Sequence, residues 1–444
     1  MAIKIILAIF LIIMLIAMSG AMIIFERDKP RAIILWLALF LCTSLIGGVI
    51  YLITKIVYYK KCESLKIKLN EDEIYNNLIS NQLLKPAETN GNDYFSFNQL
   101  GYNANMFTNN SFEFFHTYSK FQANLIKEIN AAQKYIIFEV SNFSNRDFEW
   151  MKDALTKKLE AGVAVKLVYD KPIRHKLKKQ LLAIGVKAYP FSNLRTVDNK
   201  FVNRRNLVVI DGLTAYMGKI DTKPCQLKEK CVVSNMIIKF KGEIVQSIDV
   251  SAHKDVIFAS GKYLEYTKPE FDTKNQVKMQ YIANSINQDF ELMLIKAICM
   301  AKQTIQIQVE EFVPTESIMS LLKFALNSNI EVRLMIPMHS DDSSRYYASR
   351  AYAKELALYG ANCYLYDGYI RFNSIVIDSH YGLYGSFTLN RGLITESLQD
   401  VMIIDDEKAV THLNKTFDVG VDNSYRINDA KFLLLREKFF KNFV

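Results

Sequence analysis

The pattern Arg-x-Asn-x4-Asp occurs twice in the 444 residues, as Arg204, Asn206 and Asp211 and again as Arg371, Asn373 and Asp378. In each copy the guanidinium and the amide lie two positions apart, on one side of an extended segment. An apolar run, Leu207-Val208-Val209-Ile210 or Ser374-Ile375-Val376-Ile377, then leads to the Asp at the strand end. A glycine-containing apolar return follows each copy, at 213–218 and 381–386, as a second strand follows a tight turn. A chain that repeats such a unit is constrained to build a paired site from two similar halves.

The flanking pattern repeats as well. Helical periodicity at 121–133, a strand at 135–140, a helix at 148–161, a strand at 163–169, a helix at 176–184 and a strand at 186–189 precede the first copy. The second copy follows a helix at 290–302, a strand at 304–309, a helix at 316–327, a strand at 330–336, a helix at 344–359 and a strand at 362–366. With the motifs 167 positions apart (371 minus 204), this order predicts an α/β fold. Two like halves, 106–270 and 271–444, would form one pseudo-twofold unit with their sites facing each other. The end of the chain, 399–405 and 409–419, reads as a strand and a closing helix.

Ahead of the halves, residues 5–25 form an uncharged apolar run of 21 residues and 32–54 another of 23, each long enough to cross a bilayer as a helix. The connector Glu26-Arg27-Asp28-Lys29-Pro30-Arg31 makes them a two-helix transmembrane hairpin over 1–60. Ser19-Gly20-Ala21, downstream of Lys4, also suits a signal-peptide cleavage site, and the second span would anchor the chain either way. Basic residues outside the hairpin (Lys4, Lys55, Lys60, Lys61, Lys66, Lys68) outweigh those in the connector, which favours both ends in the cytoplasm. The polar stretch 61–105 reads as a linker with a short helix at 71–84. Of six cysteines only Cys225 and Cys231 are near each other, with no histidine cluster, so the thiols read as reduced and no zinc site is expected. A net charge of +9 suits anionic lipid, phosphate or nucleic acid and selects none of them.

The motif spacing resembles the His-x-Lys-x4-Asp of the phospholipase D superfamily, with Arg in place of His and Asn in place of Lys in both copies. The charged turn ending at Pro30 is similar to that in the N-terminal hairpin of bacterial cardiolipin synthases. Arg333-Leu334-Met335-Ile336-Pro337 and Tyr347-Ala348-Ser349-Arg350-Ala351-Tyr352 resemble that family's Arg-Ile-Met-Ile-Pro and Trp-Ala-Ser-Arg-Ser-Tyr. Ile307-Gln308-Val309-Glu310-Glu311-Phe312 stands where the family has an Ile-Gln-Thr-Pro-Tyr-Phe-type strand end. Gly385-Ser386 and Asn390 match its follow-on to the second motif, whereas Gly218-Lys219-Ile220-Asp221 replaces a usual Gly-Gly-x-Asn and adds a cation.

The resemblance implies two phospholipase D-like halves and, as family activity, phosphatidyl transfer between two phosphatidylglycerol molecules with neither metal nor cofactor. In that chemistry one imidazole attacks phosphorus and the other protonates the leaving alcohol, which needs a nitrogen lone pair and a pKa near neutrality. Guanidinium has neither. What remains is a phosphate-binding cleft: Arg204 and Arg371 forking onto phosphate oxygens, with Asn206, Asn373, Ser386 and Asn390 as further donors. Asp211 and Asp378 would orient their neighbours as the family Asp orients its His. The partner implied is anionic phospholipid, phosphatidylglycerol or cardiolipin, within the cell membrane; the sequence leaves open association with an active synthase.

Simple decay of a pocket is the rival to retained anion binding, but it would rarely make the same two replacements in both halves. A working synthase or phospholipase with a non-standard nucleophile is a second rival. For that role His339, after the strand at 330–336, is better placed than His380, which lies in the turn beyond Asp378. Glu139, Glu310 and Glu311, at strand ends, are candidate counter-charges to the arginines. A nucleic-acid-binding module is a third rival, disfavoured by the hairpin and by the lack of a basic stripe interleaved with aromatics.

Overall fold

Each apolar motif run becomes a strand, and the two strands hold matching places in two sheets. The computed structural model describes residues 93–191, 202–220, 232–262, 276–284, 290–340, 342–394, 397–427 and 435–443, with 16, 19–20, 33, 36–39, 47–57, 87 and 270–271. Among these no helix is long and apolar enough to cross a membrane. The expected span at 5–25 lies largely, and the expected helix at 71–84 entirely, outside the described residues, while within the expected span at 32–54 the described residues 33, 36–39 and 47–54 are helical.

The first elements are α1 (Tyr94–Tyr102) and β1 (Met106–Phe107). The first half then supplies β2 (Asn110–Phe115), α2 (Tyr118–Ala131), β3 (Tyr135–Val140), α3 (Asn145–Glu149), α4 (Lys152–Glu160), β4 (Ala164–Tyr169), α5 (His175–Ile184) and β5 (Lys187–Pro190). It continues through β6 (Val202–Asn203), the motif strand β7 (Leu207–Ile210), β8 (Thr214–Met217), β9 (Val232–Ser234), β10 (Ile237–Gly242) and α6 (Val245–Ser260). Its sheet runs β2-β10-β8-β7-β3-β4-β5.

The second half comprises β11 (Lys278–Ala283), α7 (Glu291–Met300), β12 (Thr304–Gln308), β13 (Phe312–Val313), α8 (Glu316–Asn327), β14 (Glu331–Pro337), α9 (Ser343–Leu358), β15 (Asn362–Tyr366) and β16 (Gly368–Ile370). The motif strand β17 (Asn373–Ile377), β18 (Tyr381–Gly385), β19 (Leu389–Asn390), α10 (Arg391–Ile394), β20 (Ser397–Leu398), β21 (Asp400–Asp405), α11 (Glu407–Asp422), β22 (Ser424–Arg426) and α12 (Leu435–Phe443) follow. Its sheet runs β1-β11-β21-β18-β17-β12-β14-β15-β22, so β18-β17-β12-β14-β15 repeats β8-β7-β3-β4-β5 strand for strand. In both sheets the motif strand pairs antiparallel with a central strand, β3 or β12, whose other neighbour is parallel.

Apolar side chains spaced by four, Phe121, Leu125 and Ile129, make one face of α2 fully buried against the outside of the first sheet. Each contributes about 1.5–3 kcal/mol of burial relative to exposure. Met293, Ile318, Leu322 and Leu356 do the same for the second sheet from α7, α8 and α9. Between the sheets lie α6 and α11, with Ile248, Ala252 and Val256 of one and Val410 and Leu413 of the other in a single core. The sequence pattern assigns nothing to 237–260, yet α6 is central. Buried on nearly all sides, it has no polar face to produce a helical period.

Two boundaries move. The expected helix 148–161 starts three residues earlier and breaks at Trp150 and Met151, because Ser144 and Asp147 form a capping box for a separate short helix. The stretch expected as linker up to 105 contains α1, whose Tyr94 and Phe95 enter the core of the second half. Asn98 Nδ2 donates to Gln280 Oε1 at 3.1 Å, and β1, expected to open the first half, pairs with β11 instead. The chain thus lays down an edge of the second sheet before it begins the first.

The motif aspartates close the two hairpins alike. Asp211 and Asp378 both adopt positive φ, 54° and 53°, a conformation Asp tolerates better than most side chains. Asp211 accepts from the backbone N–H groups of Gln133, Lys134 and Tyr135 at 2.7, 2.8 and 2.8 Å. Asp378 accepts from those of Lys302, Gln303 and Thr304 at 2.8, 2.7 and 2.9 Å. Each carboxylate therefore ties its hairpin to the start of the central strand. We expect Asp211→Ala and Asp378→Ala each to lower unfolding free energy by about 1–3 kcal/mol, measured by denaturant titration, with Asp→Asn at the same position costing less because it keeps an acceptor and tolerates positive φ.

Candidate functional site

Two short parallel pairings cross from one half to the other and end at the motif arginines. In one, β6 pairs with β20 and the next residue's amide, Arg204 N–H, donates to Leu398 O at 2.9 Å. In the other, β16 pairs with β9 and Arg371 N–H donates to Ser234 O at 2.9 Å. Each arginine thus starts its motif strand from a backbone bond to the opposite half. The approach is close enough that a Cβ on Gly368 would lie 2.2 Å from Val232 O, and one on Gly218 2.5 Å from the Tyr384 hydroxyl. Tyr384 uses that hydroxyl to donate to Met217 O or Met236 O, both in the first half.

A cavity of about 370 Å³ lies between these crossings, lined from both halves. Arg204, Asn206, Arg371, Asn373 and Ser386 line it; Asp211, Asp378 and Asn390 do not. The aspartates occupy the far end of their strands, and the role of orienting their motif neighbours gives way to the hairpin closure described above. Asn390 stands behind the wall, its amide donating to Glu311 Oε2 at 2.9 Å.

The expected polar donors are largely engaged within the fold. Asn206 accepts from Ser141 N–H at 3.2 Å and donates to Arg204 O at 2.8 Å. Asn373 accepts from Glu310 N–H at 2.9 Å and donates to Phe387 O. Both amides therefore stitch the motif to the end of the adjacent central strand, keeping one further N–H each. The Ser386 hydroxyl donates to Asp400 Oδ1 at 2.6 Å and accepts from Asp400 N–H at 2.9 Å, so it serves Asp400 rather than the cavity.

The charges divide between the halves. Lys171, Arg204 and Lys219 line the cavity from the first; Arg345 and Arg371, with the carboxylates Glu310, Glu311, Asp342 and Asp400, line it from the second. Glu310 pairs with Lys219 and lies 3.9 Å from Arg204. Glu311 accepts from Arg345 at 2.9 Å; burial opposes its charge, but Arg345, Arg204 and the Asn390 amide outweigh this and hold its carboxyl below the usual range. Burial raises Asp400, with Ser386 and Arg205 only partly offsetting it.

Beneath the wall lies a network the motif spacing does not disclose. Arg205, 4% exposed, pairs with Asp255 of α6 and donates from Nε to Gln399 O at 3.2 Å and from Nη2 to Asn284 O, so it binds the halves together. Its place, one position out of phase with Arg204 and Asn206 in an extended segment, was the available signal. Glu139 does not line the cavity. It is 1% exposed, accepts from Asn203, and stands beside Asp255. Burial and the Asp255 charge push its carboxyl well above the usual range, more than Arg205 offsets.

Of the histidines, His339 lines the cavity, with Nε2 4.0 Å from Asp367 Oδ1. His380 faces away, 3.6 Å from Asp405. His253 is buried in α6 beside Asp249, and His116 meets His412 at 2.7 Å between their Nε2 atoms.

Residues 294–419 match the family model described as cardiolipin synthase, PLD-like domain. A cardiolipin synthase of Oceanobacillus iheyensis is 26% identical over 444 aligned positions, covering 92% of this chain and 91% of that protein. The major cardiolipin synthase ClsA of Bacillus subtilis is 30% identical over 291 positions, covering 61% of this chain and 60% of that one. Among solved structures, phosphatidylserine synthase of Haemophilus influenzae Rd KW20 superposes with a TM-score of 0.57 at 12% identity, over 75% of this chain and 92% of that chain, a likeness of fold alone.

Because Glu139 stays protonated in the fold above the pH at which it ionises in the unfolded chain, it withdraws stability as pH rises from about 4.3 toward its folded value. Glu139→Gln keeps an acceptor for Asn203 and does not titrate. Its stability relative to the unaltered protein is expected to climb between about pH 4.5 and 7, at up to about 1.4 kcal/mol per pH unit, measured by urea unfolding at stepped pH.

Proposed function

The chain belongs to the phospholipase D superfamily and is cardiolipin synthase-like, and from that premise we propose that it is a catalytically degenerate, membrane-anchored relative that holds the phosphate of an anionic phospholipid headgroup without cleaving it. The observation that carries this reading is that Arg204 and Arg371 line one cavity from opposite halves. Two permanently charged forks suit a phosphodiester and cannot attack it or deliver a proton at neutral pH. Arg204 Nε is buried and has no hydrogen-bond acceptor among the described residues, a donor that a phosphate oxygen would satisfy. The apolar runs at 5–25 and 32–54 would hold the cavity at the cytoplasmic surface of the membrane, where phosphatidylglycerol or cardiolipin is the candidate ligand.

A second reading keeps catalysis and makes His339 the nucleophile, because it is the one histidine lining the cavity among the described residues. Its test is cardiolipin formation by the full chain and by His339→Ala.

With the purified full chain in detergent, labelled phosphatidylglycerol is expected to give no cardiolipin. Calorimetric titration with the soluble headgroup glycerophosphoglycerol should show binding that Arg371→Ala or Arg204→Ala weakens about tenfold, the loss of one charge-assisted contact worth about 1.4 kcal/mol. Robust cardiolipin formation abolished by His339→Ala would overturn the degenerate reading in favour of the second.

A further inference from the structure

We propose that Glu310 is a tethered competitor for the anion site, a carboxylate that occupies the cations of the first half until a phosphate group displaces it, and so sets which ligands the cavity admits. This rests on the anion-binding reading of the same cavity. Glu310 follows β12 in the second half, and its backbone is held in place by donation to the Asn373 amide oxygen at 2.9 Å. From there the side chain crosses to the first half, pairing with Lys219 and approaching Arg204 to 3.9 Å. Lys219 of the first half and Glu310 of the second, 91 positions apart, thus meet each other across the junction.

Its neighbour Glu311 behaves differently. Arg345 and Asn390 each donate to it at 2.9 Å, one to either oxygen, so it is pinned and already satisfied. Glu310 lines the same cavity at similar exposure, but only its Oε1 is taken by a close partner, Lys219, while its Oε2 lies 3.9 Å from Arg204. A charge held at this distance acts at an effective concentration on the order of millimolar or more. A phosphate monoanion must therefore exceed that competition before it can reach Arg204 and Lys219.

The test is calorimetric titration of the full chain in detergent with inorganic phosphate and, separately, with glycerophosphoglycerol. Glu310→Gln is expected to bind both about tenfold more tightly than the unaltered protein, and Glu310→Ala, which removes any amide contact to Lys219, to do the same. If Arg371→Ala weakens binding while both Glu310 variants bind no more tightly than the parent, the competitor assignment is wrong and the anion site stands. If neither ligand binds the parent or either Glu310 variant, the anion site itself is wrong and the competitor falls with it. Tightening for inorganic phosphate alone would place the competition on a free phosphate rather than on a lipid headgroup.

Discussion

The site exists because the two halves exchange backbone hydrogen bonds at the motif arginines. Arg204 N–H reaches Leu398 O and Arg371 N–H reaches Ser234 O, so neither guanidinium is carried by a free loop. Buried main-chain donors are costly to leave unpaired, and a separated half would expose both bonds along with the α6 and α11 core. The cavity is therefore a property of the pair of halves. Tyr384, pressed against Gly218 and donating into the first half, and Arg205, donating to Asn284 and Gln399 of the second, lock the same approach from inside.

On that frame one set of charges meets across the junction, Glu310 with Lys219 and Arg204, while Glu311 pairs with Arg345 inside the second half. The first half brings cations to the cavity and the second brings carboxylates as well as Arg345 and Arg371. In a partly desolvated cleft such opposition is stronger than at an open surface, which makes the contact between Glu310 and the Lys219 and Arg204 pair both a brace between halves and an obstacle to any entering anion. The motif amides take part indirectly: Asn373 positions Glu310 through its backbone, and Asn206 holds the end of β3 through Ser141.

Motif residues differ in how far their roles are visible in the primary structure. A spacing of two in an extended segment carries real geometry, and both arginines do reach the cavity wall. The same spacing says nothing of which donors are still free, and here Asn206, Asn373 and Ser386 turn their polar atoms mainly to neighbours within the fold. The aspartates illustrate the limit from the other side. Their position at the end of the apolar run was legible, but only the pairing of β7 with β3 and β17 with β12 shows that the end in question is the one remote from the cavity.

What the amino-acid order determined by itself is local and periodic: the alternation of strands and amphipathic helices, the repeat of that alternation, and the absence of imidazole from both motifs. These follow from side-chain chemistry and from spacings of two and three to four residues, which need no knowledge of the fold. The tertiary structure alone decided that α6 would be buried between sheets, that α1 and β1 would join the second half, and that Lys219 would meet Glu310 from 91 positions away. Contacts at such separation leave no period in the sequence, because they are set by how two sheets close on each other and by which charges must be neutralised once they have.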